Sequence, residues 1–338
     1  MASIRKRGNS YLLVVSMGYT PDGQRRNPQQ KTVRPPKSTL VREKQDIERF
    51  KPYLGSYKLV DLRPEHFRSL YAKLRKQKNK VTGKPLSEAT VEGVHSCLCG
   101  ILSDAMEGGY LDHNPAWRTY KYTGQKKEKK IADDETVKKL IQALEAVSIL
   151  YETYFKLIIA TGMRRGECCG LKWCDIDWEQ RSIHICRNAV KVTDEEIFVK
   201  EPKTRAGNRY VYFSAEMESL LWEYRQECAY ITETYDQREL TTDDFLFRRQ
   251  GAQFPMTPTT FTYRFKLILK KNGLPQELNV HSLRHTAASL MIAGGTDVAT
   301  VAGILGHSQP STTLDIYTHA FDKNKKAASA GLQGMLEI

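Results

Sequence analysis

Residues 280–307 contain two stretches of helical periodicity, each running into glycine, with basic and imidazole side chains at fixed steps along them. In the first, His281, Arg284 and His285 fall at i, i+3 and i+4, so a helix carries them along one face. Leu283, Ala287, Leu290 and Met291 then form the opposing apolar stripe. The pattern predicts an amphipathic helix with a cationic edge. In the second stretch, Val298, Val301, Ala302 and Leu305 keep helical spacing up to Gly306, which suits a left-handed C-cap, and His307 lies just past that stop. Ser308 and Pro310 can open a third short helix in which Leu314 points inward and Tyr317 follows one turn later. One tyrosine is thus expected near two histidines and an arginine.

Upstream, TGMRRGE at residues 161–167 supplies Arg164 and Glu167 at i, i+3 on the start of another helix. Two guanidiniums, flanking imidazoles and a free phenol make a site for a tetrahedral anion. Forked hydrogen bonds from the arginines hold the non-bridging oxygens of a phosphodiester and neutralise the charge that builds up as a fifth oxygen attaches. The phenol is then the nucleophile. His281 and His285 also have the spacing of a helical metal pair, but HSLRH lacks the glutamate of HExxH and Arg284 between them repels a divalent cation. No metal site is expected.

TGMRRGE, HSLRH, LGH and TTLDIYTH, in that order, resemble the signature of the tyrosine recombinases, the phage and transposon integrases. The likeness covers roughly residues 38–338. Carried over onto this sequence, it implies a catalytic set of Arg164, Lys203, His281, Arg284, His307 and Tyr317, with Glu167 as supporting acid; Lys203 comes from KTRAGNRY, which is similar to the family's hairpin lysine. The implied fold is mainly α with small β-sheets: an N-terminal basic β module, a helical core-binding (SAM-like) domain and an α+β catalytic domain.

Composition fits a polyanion partner. Lys and Arg number 52 against 39 acidic residues, a net charge of +13, and nucleic acid is the commonest partner of such a balance, although ribosomal and membrane-surface proteins share it. No run of 18 apolar residues exists and the N-terminus lacks an apolar signal core, so neither a membrane span nor secretion is expected. The seven cysteines include no CxxC pair and read as reduced core thiols of a bacterial cytoplasmic protein.

Residues 1–37 carry eight Lys or Arg against one Asp, with YLLVV a β-rich run and TPDGQ a turn. A small basic sheet can lie in a DNA groove, and Arg5, Lys6, Arg7, Arg25 and Arg26 are the candidate contacts; a charged terminal hairpin is the plainer reading. The segment resembles an integrase arm-site module, ending abruptly at Pro35 and Pro36 without the helix that usually packs on the sheet. Residues 38–118 read as helices, with Phe67, Leu70 and Leu74 in one and Leu98, Ile101, Leu102 and Ala105 in another. Residues 119–131 form a cationic linker, in which Lys126, Lys127, Lys129 and Lys130 either follow the DNA or line a plain hinge. The catalytic domain, 132–338, opens on a helix with Val137, Leu140, Ile141 and Leu144 as its core stripe, then short strands with a tight turn near Ala206, Gly207 and Asn208.

On the resemblance, Tyr317 attacks the scissile phosphorus to leave a 3′-phosphotyrosine and a free 5′-hydroxyl, and His281 takes its proton. Lys203 protonates the departing oxygen, His307 binds a non-bridging oxygen, and Glu167 orients Arg164 or His281. The partners implied are double-stranded attachment-site DNA, a homotetramer built by exchange of C-terminal tails, a small excision factor and a host DNA-bending protein. Neither cofactor nor ATP is expected. Two other readings stay open: a non-catalytic DNA-binding protein that keeps the fold, and an enzyme like the type IB topoisomerases.

Overall fold

Helices dominate the computed structural model, which describes residues 2–7, 10–15, 29–33, 37–79, 82–124, 131–191, 197–202 and 205–307, with side chains from Val41 onward, Arg205 excepted. The chain divides into two units, residues 1–126 and 127–338.

In the first unit, β1 (Ala2–Arg7), β2 (Ser10–Val15) and β3 (Gln29–Val33) pair antiparallel in that order, with Ile4 opposite Leu13 and Leu13 opposite Lys31. Three helices follow: α1 (Lys37–Leu54), α2 (Pro64–Lys76) and α3 (Glu88–Glu107). Pro64 opens α2 where a missing N–H loses no helical bond. The Ser87 hydroxyl caps α3 by accepting from the Thr90 N–H. Phe67, Leu70, Tyr71 and Leu74 of α2 meet Val91, Val94, Leu98 and Leu102 of α3 in the unit's core, each such side chain contributing roughly 1.5–3 kcal/mol of burial. Ile101, expected inward, is 40 % exposed. The buried stripe runs 91, 94, 98, 102, and position 101 falls outside it. Tyr120, at the start of the stretch expected to be a linker, packs into this unit: its ring stacks on His95 and its hydroxyl donates to Glu88.

The second unit is built on α4 (Asp134–Glu145), α5 (Ile149–Thr161), α6 (Arg165–Cys169), α7 (Ala215–Asp236), α8 (Pro258–Lys271), α9 (Val280–Ala293) and α10 (Val298–Leu305). A three-stranded antiparallel sheet has the order β4 (Ile176–Asp177), β5 (Ser182–Ile185), β8 (Arg209–Tyr212), while β6 (Asn188–Lys191) pairs with β7 (Ile197–Lys200) in a separate sheet. The strands expected between 176 and 213 therefore form two small sheets, and the turn before β8 is a 3-10 turn over Arg205–Gly207. Val137, Leu140 and Leu144 of α4 join Tyr154, Phe155, Phe261 and Phe265 in one core; Ile141 packs at its margin.

Helix α9 departs from its expected amphipathic form. It lies against α5, α8 and α10, and residues from Val280 through Ala288 are buried except His281. Arg284 is only 1 % exposed, whereas Leu290, assigned to the apolar stripe, is 37 % exposed. The face of α9 that carries Arg284 is packed against its neighbours, so Arg284 has to find its partners inside the protein.

All seven cysteines are free. Burial pushes the Cys169 thiol up to about 12 and the Cys168 thiol well above its ordinary range, so both are inert core groups. Cys174, by contrast, is exposed. No helix among the described residues is long and apolar enough to cross a membrane.

Candidate active site

Two left-handed helix ends meet over the buried Arg284. Gly162 closes α5 at φ +65° and Gly306 closes α10 at φ +66°, a conformation that costs little only for glycine. Side chains would also collide there: a β-carbon at 162 would stand 2.5 Å from Leu305 Cδ2, and one at 306 would stand 2.5 Å from the Ala206 carbonyl oxygen. Helix C-termini leave carbonyl oxygens without intrahelical donors. Arg284 supplies donors to both ends, from Nη1 to Gly162 O at 2.8 Å and from Nη2 to Leu305 O at 2.6 Å.

Arg164 occupies the N-cap of α6. Its backbone N–H donates to Glu167 Oε2 at 2.8 Å, its Nη1 to Oε1 at 2.6 Å and its Nη2 to Gly306 O at 3.0 Å. The side chain keeps an open face, 39 % exposed, above the buried Glu167 at 3 %. Glu167 also accepts from Arg209 Nη2 at 2.9 Å. Burial alone would raise its carboxyl, but the hydrogen bond and charge of Arg209, with the charge of Arg164, outweigh that and hold it below the ordinary range. Glu167 is therefore a carboxylate held between Arg164 and Arg209.

Arg209 further donates from Nε to Ile304 O at 2.6 Å. The successive carbonyls of Ile304, Leu305 and Gly306 are thus held by Arg209, Arg284 and Arg164 in turn. This fixes the C-terminal end of α10, from which half-buried His307 follows directly, its N–H bonded to Ala302 O at 3.0 Å.

His281 sits exposed on the first turn of α9, below the Asn279 cap that accepts from its N–H at 2.9 Å. Its ring meets the ring of His285 edge-on at 4.6 Å. An open groove of 570 Å³ is lined by Arg164, Arg165, Asn188, Lys191, Thr262 and His281, among others, with no acidic residue among its described lining. Three cations, Arg164, Arg165 and Lys191, face this groove, with the carboxylate of Glu167 buried behind Arg164, so its walls favour an anion.

The structure brings together Arg164, Glu167 and Arg284 and sets His307 and His281 beside them. Lys203, Tyr317, Arg25, Arg26, Lys126, Lys127, Lys129 and Lys130 lie outside the described residues, and Arg5, Lys6 and Arg7 are described by backbone alone. Sequence reasoning missed Arg209, and with it Arg165 and Lys191 of the groove. The signal for Arg209 was strand parity: in RYVYF, Arg209 shares its face with inward Val211 and Phe213.

Residues 130–324, more than half of the chain, match the phage integrase family model. The chain belongs to the phage integrase family. It is a tyrosine recombinase, a site-specific DNA recombinase. The integrase is 28 % identical over 308 residues to a XerC-like tyrosine recombinase of Caldanaerobacter subterraneus subsp. tengcongensis, covering 82 % of this chain and 74 % of that protein. It is 26 % identical over 255 residues to the ICEBs1 integrase of Bacillus subtilis, covering 74 % and 67 %. Among solved structures, the Tn1549 transposon integrase in complex with transposon right end DNA matches at a TM-score of 0.73 and 20 % identity, over 88 % of this chain and 94 % of that one. At that identity the likeness is one of fold.

Proposed function

We propose that this integrase cleaves and rejoins double-stranded DNA through a 3′-phosphotyrosine on Tyr317 and a Holliday junction, integrating and excising a mobile element. The observation that carries the reading is the convergence of Arg164, Arg284 and the His307 backbone on one helix end, with Arg164 open to a cationic groove. Arg164 grips a non-bridging oxygen directly. Arg284 acts from beneath, where low dielectric strengthens its charge. His307 donates to the same phosphate, His281 takes the phenol's proton, and Lys203 protonates the departing 5′-oxygen. The ester to tyrosine conserves the energy of the broken bond, so strand exchange draws on neither metal nor ATP.

The mobile-element assignment draws support from relatives such as the ICEBs1 integrase and the transposase of transposon Tn916. Residues 38–118 then serve as the core-binding domain, 119–131 as the linker along the duplex and 132–338 as the catalytic domain. The eight basic residues of the N-terminal 37 make that segment an arm-site module, with Arg5, Lys6, Arg7, Arg25 and Arg26 on phosphates. Four strand cleavages require four active sites, which a tetramer joined by C-terminal tails provides, working in the bacterial cytoplasm with an excision factor and a DNA-bending partner.

Covalently attached DNA tests this reading. Purified protein is incubated with sheared DNA from its source organism, stripped in detergent, and the fragments that remain attached are sequenced. One recurrent junction sequence is the expected result. Attachment without sequence preference, together with relaxation of any supercoiled plasmid, would favour the topoisomerase alternative, and binding without attachment the non-catalytic one.

A further inference from the structure

The reaction scheme above gives no part to Arg209, a buried cation. Arg209 opens β8 and is 9 % exposed, and a guanidinium so buried is strongly unfavourable unless its donors are met. Its partners come from three places: Glu167 on α6 at 2.9 Å, Ile304 O in the last turn of α10 at 2.6 Å, and Gly207 O in the turn before β8 at 3.3 Å. Each adjoins an expected catalytic group. Glu167 binds Arg164 through its backbone N–H and Nη1, Ile304 lies three residues before His307, and Gly207 lies four residues after Lys203. Gly306 lets the guanidinium approach, since a β-carbon there would stand 2.9 Å from Arg209 Nη1.

The charge balance points the same way. Arg164 and Glu167 alone form a neutral pair, and a free carboxylate competes with a phosphate for the Arg164 fork. With Arg209 sharing Glu167, the trio carries one net positive charge and the carboxylate is held on two sides. Arg164 then keeps its outer face for an anion that gains charge in the transition state.

We infer that Arg209 is a positioning residue for phosphoryl transfer: it clamps Glu167 to the end of α10 and so sets Arg164 and His307 against the scissile phosphate without touching the DNA. This rests on the recombinase reading given above.

Two variants test it on the full-length protein. Arg209→Lys keeps the charge but cannot fork between Glu167 and Ile304 O. Arg209→Met removes the charge. The probe is the recurrent duplex recovered by covalent attachment, made once with a natural scissile phosphodiester and once with a methylphosphonate, which lacks the charge that Arg164 neutralises. Arg209→Lys is expected to slow covalent attachment to the phosphodiester about tenfold or more while DNA affinity changes less than about twofold. It should also speed hydrogen exchange at the Gly306 and His307 amides. Arg209→Met should lose far more on the phosphodiester than on the methylphosphonate. If Arg209→Met does not fold, Arg209→Lys decides alone. Equal slowing on both substrates, a loss of affinity that accounts for the slowing, or unchanged exchange at 306 and 307 would overturn the inference. If the wild type attaches to no DNA, the recombinase reading falls by itself, and hydrogen exchange still decides whether Arg209 holds the α10 end.

Discussion

The guanidinium of Arg284 holds the Leu305 carbonyl oxygen at 2.6 Å from a position that is 1 % exposed, so an expected catalytic arginine also closes a helix. Its second arm holds Gly162 O at 2.8 Å, and among the described residues no backbone N–H is bonded to either carbonyl. Removing the donors leaves buried acceptors unmet, which costs more than the bonds themselves are worth. Arg284→Met is therefore expected to lower stability by about 3 kcal/mol and Arg284→Lys by less, since a lysine reaches one carbonyl. Urea unfolding of the variants measures both. A stability loss in neither would show that the α5 and α10 ends do not depend on this side chain.

Two glycines of α10 make a matched pair. Gly306 has φ +66° and no room for a β-carbon, whereas Gly303 is helical with nothing within 4 Å of the added atom. Gly306→Ala should cost about 2 kcal/mol from left-handed strain and the clash with Ala206 O. Gly303→Ala should gain about 0.5 kcal/mol from helix propensity. Thermal melts of the two variants should move in opposite directions, and a common direction would show that the glycine requirement has been misread.

Acid should weaken the first unit as pH falls below about 4.5. The bidentate hydrogen bond from Arg75 holds the Glu88 carboxyl down at about 2, from an ordinary 4.5. In the unfolded chain it titrates near 4.5, so between these values the unfolded state binds the extra proton and stability rises with pH. The contribution of Glu88 is complete above about 4.5 and lost as pH falls towards 2. Urea midpoints followed by fluorescence from pH 6 to 3 should decline less steeply in Glu88→Gln than in the wild type. Parallel curves would mean that the ion pair contributes nothing through its protonation.

Periodicity and punctuation made the elements legible, and packing decided the rest. Gly306 as a left-handed stop and the Phe67, Leu70, Leu74 stripe are local signals, and the structure bears them out. Within the candidate site, the i, i+3 spacing of Arg164 and Glu167 was legible, and the two side chains meet at 2.6 Å. What a single sequence could not show was depth. Helix α9 reads as amphipathic because its polar residues recur on one side, yet neighbours cover residues 282–288 all round and leave Leu290 outside, so Arg284 is core and Leu290 is surface. Arg209 was passed over for the converse reason. In a short strand a basic residue reads as solvent-facing, and partners distant in sequence, the Glu167 carboxylate and the Ile304 carbonyl, hold it inward.

In the proposed reaction Tyr317 attacks phosphorus and remains attached to the 3′ end of the cut strand. Wild-type protein and Tyr317→Phe, incubated with the same DNA, are denatured, digested with nuclease and protease, and the peptides weighed by mass spectrometry. The expected result is a nucleotide adduct on the peptide containing Tyr317 in the wild type and none in the variant, with DNA affinity retained in both. An adduct on another residue, or one that persists in Tyr317→Phe, would contradict it.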